Sequence, residues 1–108
     1  MKLYHTTLKR NLDSIRKHGL TPSFAQKQTN PRVWLHTKSR RLWGILHVQK
    51  RHKVPMSEIL IIEVNVPRSQ LKRRWRGIWT TTETLTEFQS ITDAVDLAAS
   101  PIPEEVNT

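Results

Sequence analysis

The stretch Lys2-Leu-Tyr-His-Thr-Thr7, running on into Asn11-Leu-Asp-Ser-Ile-Arg-Lys-His-Gly19-Leu20, reads as a strand followed by a helix with a defined end. Leu3 to Thr7, apolar at its start and polar at its end, reads as a short strand. Asn11 is placed to cap the helix, Asp13 sits in the first turn where the helix dipole favours an acid, and Leu12 and Ile15 form the inward stripe. Arg16, Lys17 and His18 occupy the last turn, Gly19 supplies a left-handed terminator, and Leu20 closes over it. Pro22 blocks continuation. Between strand and helix stands His5, with Thr6 and Thr7 beside it. A neutral imidazole next to a hydroxyl can donate to and accept from a ribose diol at once. The plain alternative is a histidine that caps the helix after it.

Outward from this unit, residues 21–31 show no period and are rich in turn formers, so they read as a loop, either a cover for a substrate or an idle insertion. Arg32 to Thr37 alternates Val33, Leu35 and Thr37 against Trp34 and His36, the period of a second strand. Ser39 is placed to cap a second helix with an apolar face of Leu42, Trp43, Ile45 and Leu46, which puts Trp43 in the core. Glu58 to Val66 is a β-branched run with Leu60, Ile62, Val64 and Val66 on one side, the best central strand. Pro67 ends it, and Ser69 to Arg74 reads as a turn of helix. Gly77 to Thr82 reads as another strand, with a short last one around Ile91. Trp34 and Trp79 fit either a stacking surface or a core position. The expected class is α+β, with small mixed or antiparallel sheets and two main helices. Residues 1–100 read as a single domain and 101–108 as a flexible tail.

Charge points to an anionic partner. All 18 Lys and Arg lie in residues 1–76 beside three acids (Asp13, Glu58, Glu63), whereas residues 77–108 hold six acids and no base. The run Lys72-Arg73-Arg74-Trp75-Arg76 interleaves bases with an aromatic ring, as nucleic-acid binding surfaces do, so Lys72, Arg73, Arg74 and Arg76 are candidate nucleic-acid contacts. A solvated basic face is the plain alternative. With no cysteine in the chain, disulfides and thiolate nucleophiles are excluded. His47 and His52, five apart, would point about 140° away from each other on a helix, so no metal site is expected. No apolar run reaches the length of a membrane span, and a cytoplasmic protein is expected. Only Gly19, Gly44 and Gly77 are present, which rules out a P-loop or a dinucleotide fingerprint.

Tyr4-His5-x-Thr7, Asn11-Leu12-x-x-Ile15-x-x-x-Gly19-Leu20-x-Pro22 and Val33-Trp34-Leu35-x-Thr37 together resemble the opening of the ADP-ribosyltransferase fold. The likeness is closest to the NAD-dependent RNA 2′-phosphotransferases. Arg32-Val-Trp-Leu resembles that family's R-x-x-V-H-L segment, Val48-Gln-Lys-Arg-His-Lys53 its V-G-x-R-H-G turn, and Gly77-Ile-Trp-Thr80 its G-V-W-L close. The similarity spans roughly residues 2–91, with Thr6 where the usual H-G-T has glycine. It implies NAD as cofactor, held by Tyr4, His5, Thr7, Arg32, Trp34 and Thr37. It also implies His5 and Arg51 at the reacting centre, with Glu83 or Glu87 as the late-strand carboxylate. Cleaving the nicotinamide–ribose bond builds oxocarbenium-like charge, which a carboxylate or an incoming phosphate stabilises. In the phosphotransferase branch, arginines at the positions of Arg32 and Arg51 grip the acceptor phosphate. The expected function is therefore an NAD-binding transferase, of the ADP-ribosyltransferase or phosphotransferase type, acting on RNA, DNA or a phosphorylated acceptor. Two alternatives stay open: a small basic ribonuclease using His5, His36 or His52, and a non-catalytic nucleic-acid binding module of the same fold.

Overall fold

The computed structural model describes residues 1–22 and 31–101. Its elements are β1 (Lys2–Leu8), α1 (Leu12–His18), β2 (Val33–His36), α2 (Arg41–His52), β3 (Ile59–Asn65), β4 (Lys72–Trp75), β5 (Ile78–Thr81), β6 (Ser90–Asp93) and α3 (Ala94–Ala99). They form one six-stranded sheet in the order β4-β5-β2-β1-β3-β6. Each neighbouring pair is antiparallel, so the protein is an α+β fold on one antiparallel sheet. The proposed loop cover (partly) and most of the tail fall at residues 23–30 and 102–108, outside the described residues.

Strand alternation sends successive side chains to opposite faces and so builds two cores. On one face Leu3, Val33, Leu35, Leu60, Ile62, Val64 and Trp79 pack under Ile15 of α1 and Leu20. On the other, Tyr4, Leu8, Ile59 and Ile61 pack under Ile45 of α2 and Ala94 and Leu97 of α3. β3 is buried on both faces from Ile59 to Ile62, which is why its sequence is a continuous apolar run.

The first helix ends as its sequence requires. Gly19 has φ 81° and ψ 179°, a combination that side chains avoid, and its N–H donates to the Ile15 carbonyl at 2.7 Å. Leu20 then pairs in both directions with Leu85, N–H to O at 2.8 Å and 3.0 Å.

Several local expectations are corrected. Asn11 stands at the N-cap position but makes no cap bond, because a 3-10 turn at Lys9–Asn11 already carries the chain into the helix. Its Nδ2 donates instead to Thr7 Oγ1 at 3.3 Å. Ser39 lies inside another 3-10 turn, Lys38–Arg40, and does not cap α2. The helical turn expected over residues 69–74 is a 3-10 turn at Arg68–Gln70 followed by β4, an extended edge strand. The phase of α2 also differs. Arg41, Gly44 and Ile45 face inward, while Leu42 and Leu46 are 49% and 63% exposed. Trp43 belongs to neither core and is half-buried. The cause is Arg41, whose guanidinium is buried and donates to the carbonyls of Leu97, Ala98, Ser100 and Lys38. Holding the end of α3 in this way rotates the helix away from its apolar stripe.

Candidate functional site

β1 and β2 share a single paired position, Tyr4 with His36, although β1 continues to Leu8 and β2 begins at Val33. Continuing the register would pair Thr6 with Trp34. The strands fork there instead, and the His5 ring fills the gap: its Nδ1 lies 2.8 Å from the Trp34 carbonyl oxygen. A carbonyl only accepts, so Nδ1 carries the proton and the neutral ring keeps Nε2 as a lone-pair acceptor. Burial holds the His5 pKa below its ordinary value, and the Trp34 carbonyl partly offsets that effect. The imidazole is therefore neutral at pH 7, and Nε2 has no partner among the described residues.

A second histidine is fixed beside it. His36 Nδ1 donates to the Thr37 carbonyl at 2.8 Å, and its Nε2 lies 2.7 Å from Thr6 Oγ1. Burial above all pushes the His36 pKa down to about 4; the Thr37 carbonyl partly opposes this, and nearby His5 adds to it. Since the ring is neutral, the Thr6 hydroxyl donates to it, leaving the oxygen's lone pairs open. Gly44 of α2 covers this pair. A Cβ there would sit 2.5 Å from Thr6 Oγ1 and 2.7 Å from His36 Nε2, so only glycine lets the helix approach.

A groove of about 950 Å³ runs through the fork and along α2. His5, Thr6, Thr7, Leu20, Arg32, Val33, Trp34, Trp43, Leu46, Lys50, Arg51, His52 and Trp75 are among the residues that line it. The size suits a small-molecule ligand. Trp34 and Trp75 stack at 5.8 Å and 21°, and Arg74 lies over Trp34 at 5.9 Å from its centroid. Trp43 meets His47 at 4.5 Å and His36 edge-on at 6.2 Å. No carboxylate is among the described lining residues. His52 is also shifted downward, by partial desolvation first and then by the charges of Arg51 and Arg10.

Of the residues singled out in the sequence, His5, Thr7, Arg32, Trp34 and Arg51 are brought together here. Tyr4 is not: it packs in the α2-side core, stacks on His36 at 6.1 Å and donates to Glu63 Oε1 at 3.2 Å. Thr37 lies beyond β2, its hydroxyl 2.9 Å from Ser39 Oγ. Glu83 and Glu87 are exposed beyond β5, and neither lines the groove. The basic run splits by strand alternation. Lys72 and Arg74 fall on the Thr80 face, where Arg74 Nε donates to Thr80 Oγ1 at 3.0 Å. Arg73 pairs with Trp79 and, with Arg68, covers its ring from the opposite face at 6.0 Å and 5.7 Å. Arg76 lies past the strand, its carbonyl accepting from Arg40 Nε at 3.2 Å.

Sequence reasoning missed the Thr6–His36 pair and the place of Gly44. The signal for the pair was available, because Trp34 and His36 share the face opposite Val33 and Leu35. Among the described residues no helix is long and apolar enough to cross a membrane, and no three His, Asp or Glu side chains cluster as metal ligands would. No family model, curated protein or solved structure matches the chain.

Proposed function

We propose that the groove binds a nucleotide, and that the chain is an NAD-binding transferase acting on a nucleic acid or a phosphorylated acceptor. The observation that carries this reading is the chemistry of the lining: a neutral histidine offering Nε2 in a strand fork, tryptophan rings, several bases and, among the described residues, no acid. An aromatic, anionic ligand fits such a lining, and NAD is the one that the sequence resemblance names.

In this reading a ribose hydroxyl donates to His5 Nε2, while the Thr7 hydroxyl, already accepting from Asn11, donates to a second ribose oxygen. Trp34 and Trp43 border the space for an aromatic ring, and Arg32 and Arg51 take phosphate oxygens in bidentate geometry. Bound NAD would supply a ribose C1′ with nicotinamide as leaving group. With no carboxylate among the described lining residues, charge at that centre would be met by a phosphate that Arg32 and Arg51 hold. This favours a phosphorylated acceptor over one activated by Glu83 or Glu87.

The same absence supports a second reading, a binding module that holds the nucleotide and does not turn it over. A ribonuclease using His36 is disfavoured, since both of its ring nitrogens are engaged. Calorimetric titration with NAD, followed by an assay of nicotinamide release with a 2′-phosphorylated oligonucleotide, separates the readings. Heat and release support the transferase, heat alone the module. Absence of heat at millimolar NAD overturns both.

A further inference from the structure

We infer that the rim of the groove formed by β4 is a track for single-stranded nucleic acid, with one base stacked on Trp75. This deepens the nucleotide reading above and rests on it only for where the strand leads. Trp75 is 61% exposed on an edge strand, with one ring face against Trp34. Its other face is open to a base. An aromatic anchor next to cations is how sequence-tolerant single-strand binding is built.

The charges around it are sorted in the same sense. A second cavity of about 630 Å³ beside the groove is lined by Arg32, Lys72 and Arg74 together with Thr80, Thr81 and Thr82. Arg32 lines both cavities, and neither has a carboxylate among its described lining residues. A backbone phosphate at Arg32, Lys72 and Arg74 would place its neighbouring base at Trp75, and the chain would then pass toward His5. A duplex hides its base faces and cannot stack on Trp75, so the fit is to a single strand. Arg73, next to Arg74 in sequence and equal in charge, lies on the far side with Arg68 and Trp79 and takes no part.

Fluorescence anisotropy with a labelled single-stranded 10-mer tests this without NAD, so failure here leaves the NAD titration to be judged alone. Trp75→Ala should weaken binding by about five- to a hundredfold, and Trp75→Phe, which keeps a stacking face, should restore most of it. Removing Lys72 and Arg74 together should lower the slope of log affinity against log salt by about 1.4. Arg73→Ala should leave affinity within about twofold and the slope unchanged. Circular dichroism confirms that the variants fold. Equal losses from Arg73→Ala and Arg74→Ala, no loss from Trp75→Ala, or equal affinity for a duplex would each overturn the proposal.

Discussion

His5 Nδ1 donates to the Trp34 carbonyl across 2.8 Å at the point where β1 and β2 part. A side chain thereby takes the carbonyl that a continued backbone ladder would have used. The same bond fixes the tautomer that turns Nε2 into an acceptor. One interaction therefore holds the fork open and arms it.

His5→Ala should accordingly weaken NAD binding at least tenfold, a loss of about 1.4 kcal/mol or more. Binding should also follow the protonation of His5. Its pKa is held low by burial, so affinity should stay level from pH 8 through 6.5 and fall only at lower pH. Titrations across that range check this, and a fall already centred above pH 6.5 would contradict a buried neutral acceptor.

Folding stability should drop with acid for a related reason. Because the His36 pKa is depressed in the fold to about 4, the unfolded chain takes up its proton first as pH falls. The stabilisation is fully present above pH 6.5, the ordinary histidine value, and is lost progressively toward pH 4. Its size is about 3 kcal/mol, from the linkage of pKa shift to free energy. Urea denaturation at several pH values should show a decline that begins near 6.5, before carboxylates titrate.

Gly44→Ala should destabilise the protein by about 1–3 kcal/mol, even though alanine favours a helix over glycine by about 1 kcal/mol. The added methyl would press on Thr6 Oγ1 and His36 Nε2 and force α2 off the sheet. A stabilised variant in urea melts would show that the helix has room there.

Arg41→Met should release α3. At the end of that helix the Leu97 carbonyl keeps the N–H and hydroxyl of Ser100, while the carbonyls of Ala98 and Ser100 lose the Arg41 donor, a cost of about 2 kcal/mol in all. Hydrogen exchange should show Ala94–Ala99 losing protection while β1 and β3 keep theirs.

Glu83→Gln and Glu87→Gln should leave NAD affinity within about twofold, because neither carboxylate lines the groove. A loss of tenfold or more at either position would bring a carboxylate back to the ribose.

Much of the fold was legible because local and tertiary demands agree. The β1–α1 unit, the Gly19 stop and the doubly buried β3 each carry their own pattern of period or turn chemistry. Elsewhere distant partners override the local pattern. α2 is rotated by Arg41, whose bonds reach residues more than fifty positions away. Its apolar stripe therefore placed Ile45 inward but wrongly buried Leu42 and Leu46 and sent Trp43 to the core. The basic run at 72–76 looked like one patch until pairing with β5 divided it between two faces. Strand order is likewise set by pairing, and no single segment encodes it. At the site, His5, Thr7, Arg32, Trp34 and Arg51 could be picked out singly, but their meeting depends on the fork. Tyr4 and Thr37 share motifs with them yet lie in a core and beyond a strand end.

An NMR shift map of the protein titrated with NAD decides whether the fork between β1 and β2 is the nucleotide site. Resonances of His5, Thr6, Trp34 and Arg51 should move together while those of α3 stay still. An unchanged spectrum at millimolar NAD, or shifts confined to residues outside the groove, would contradict it.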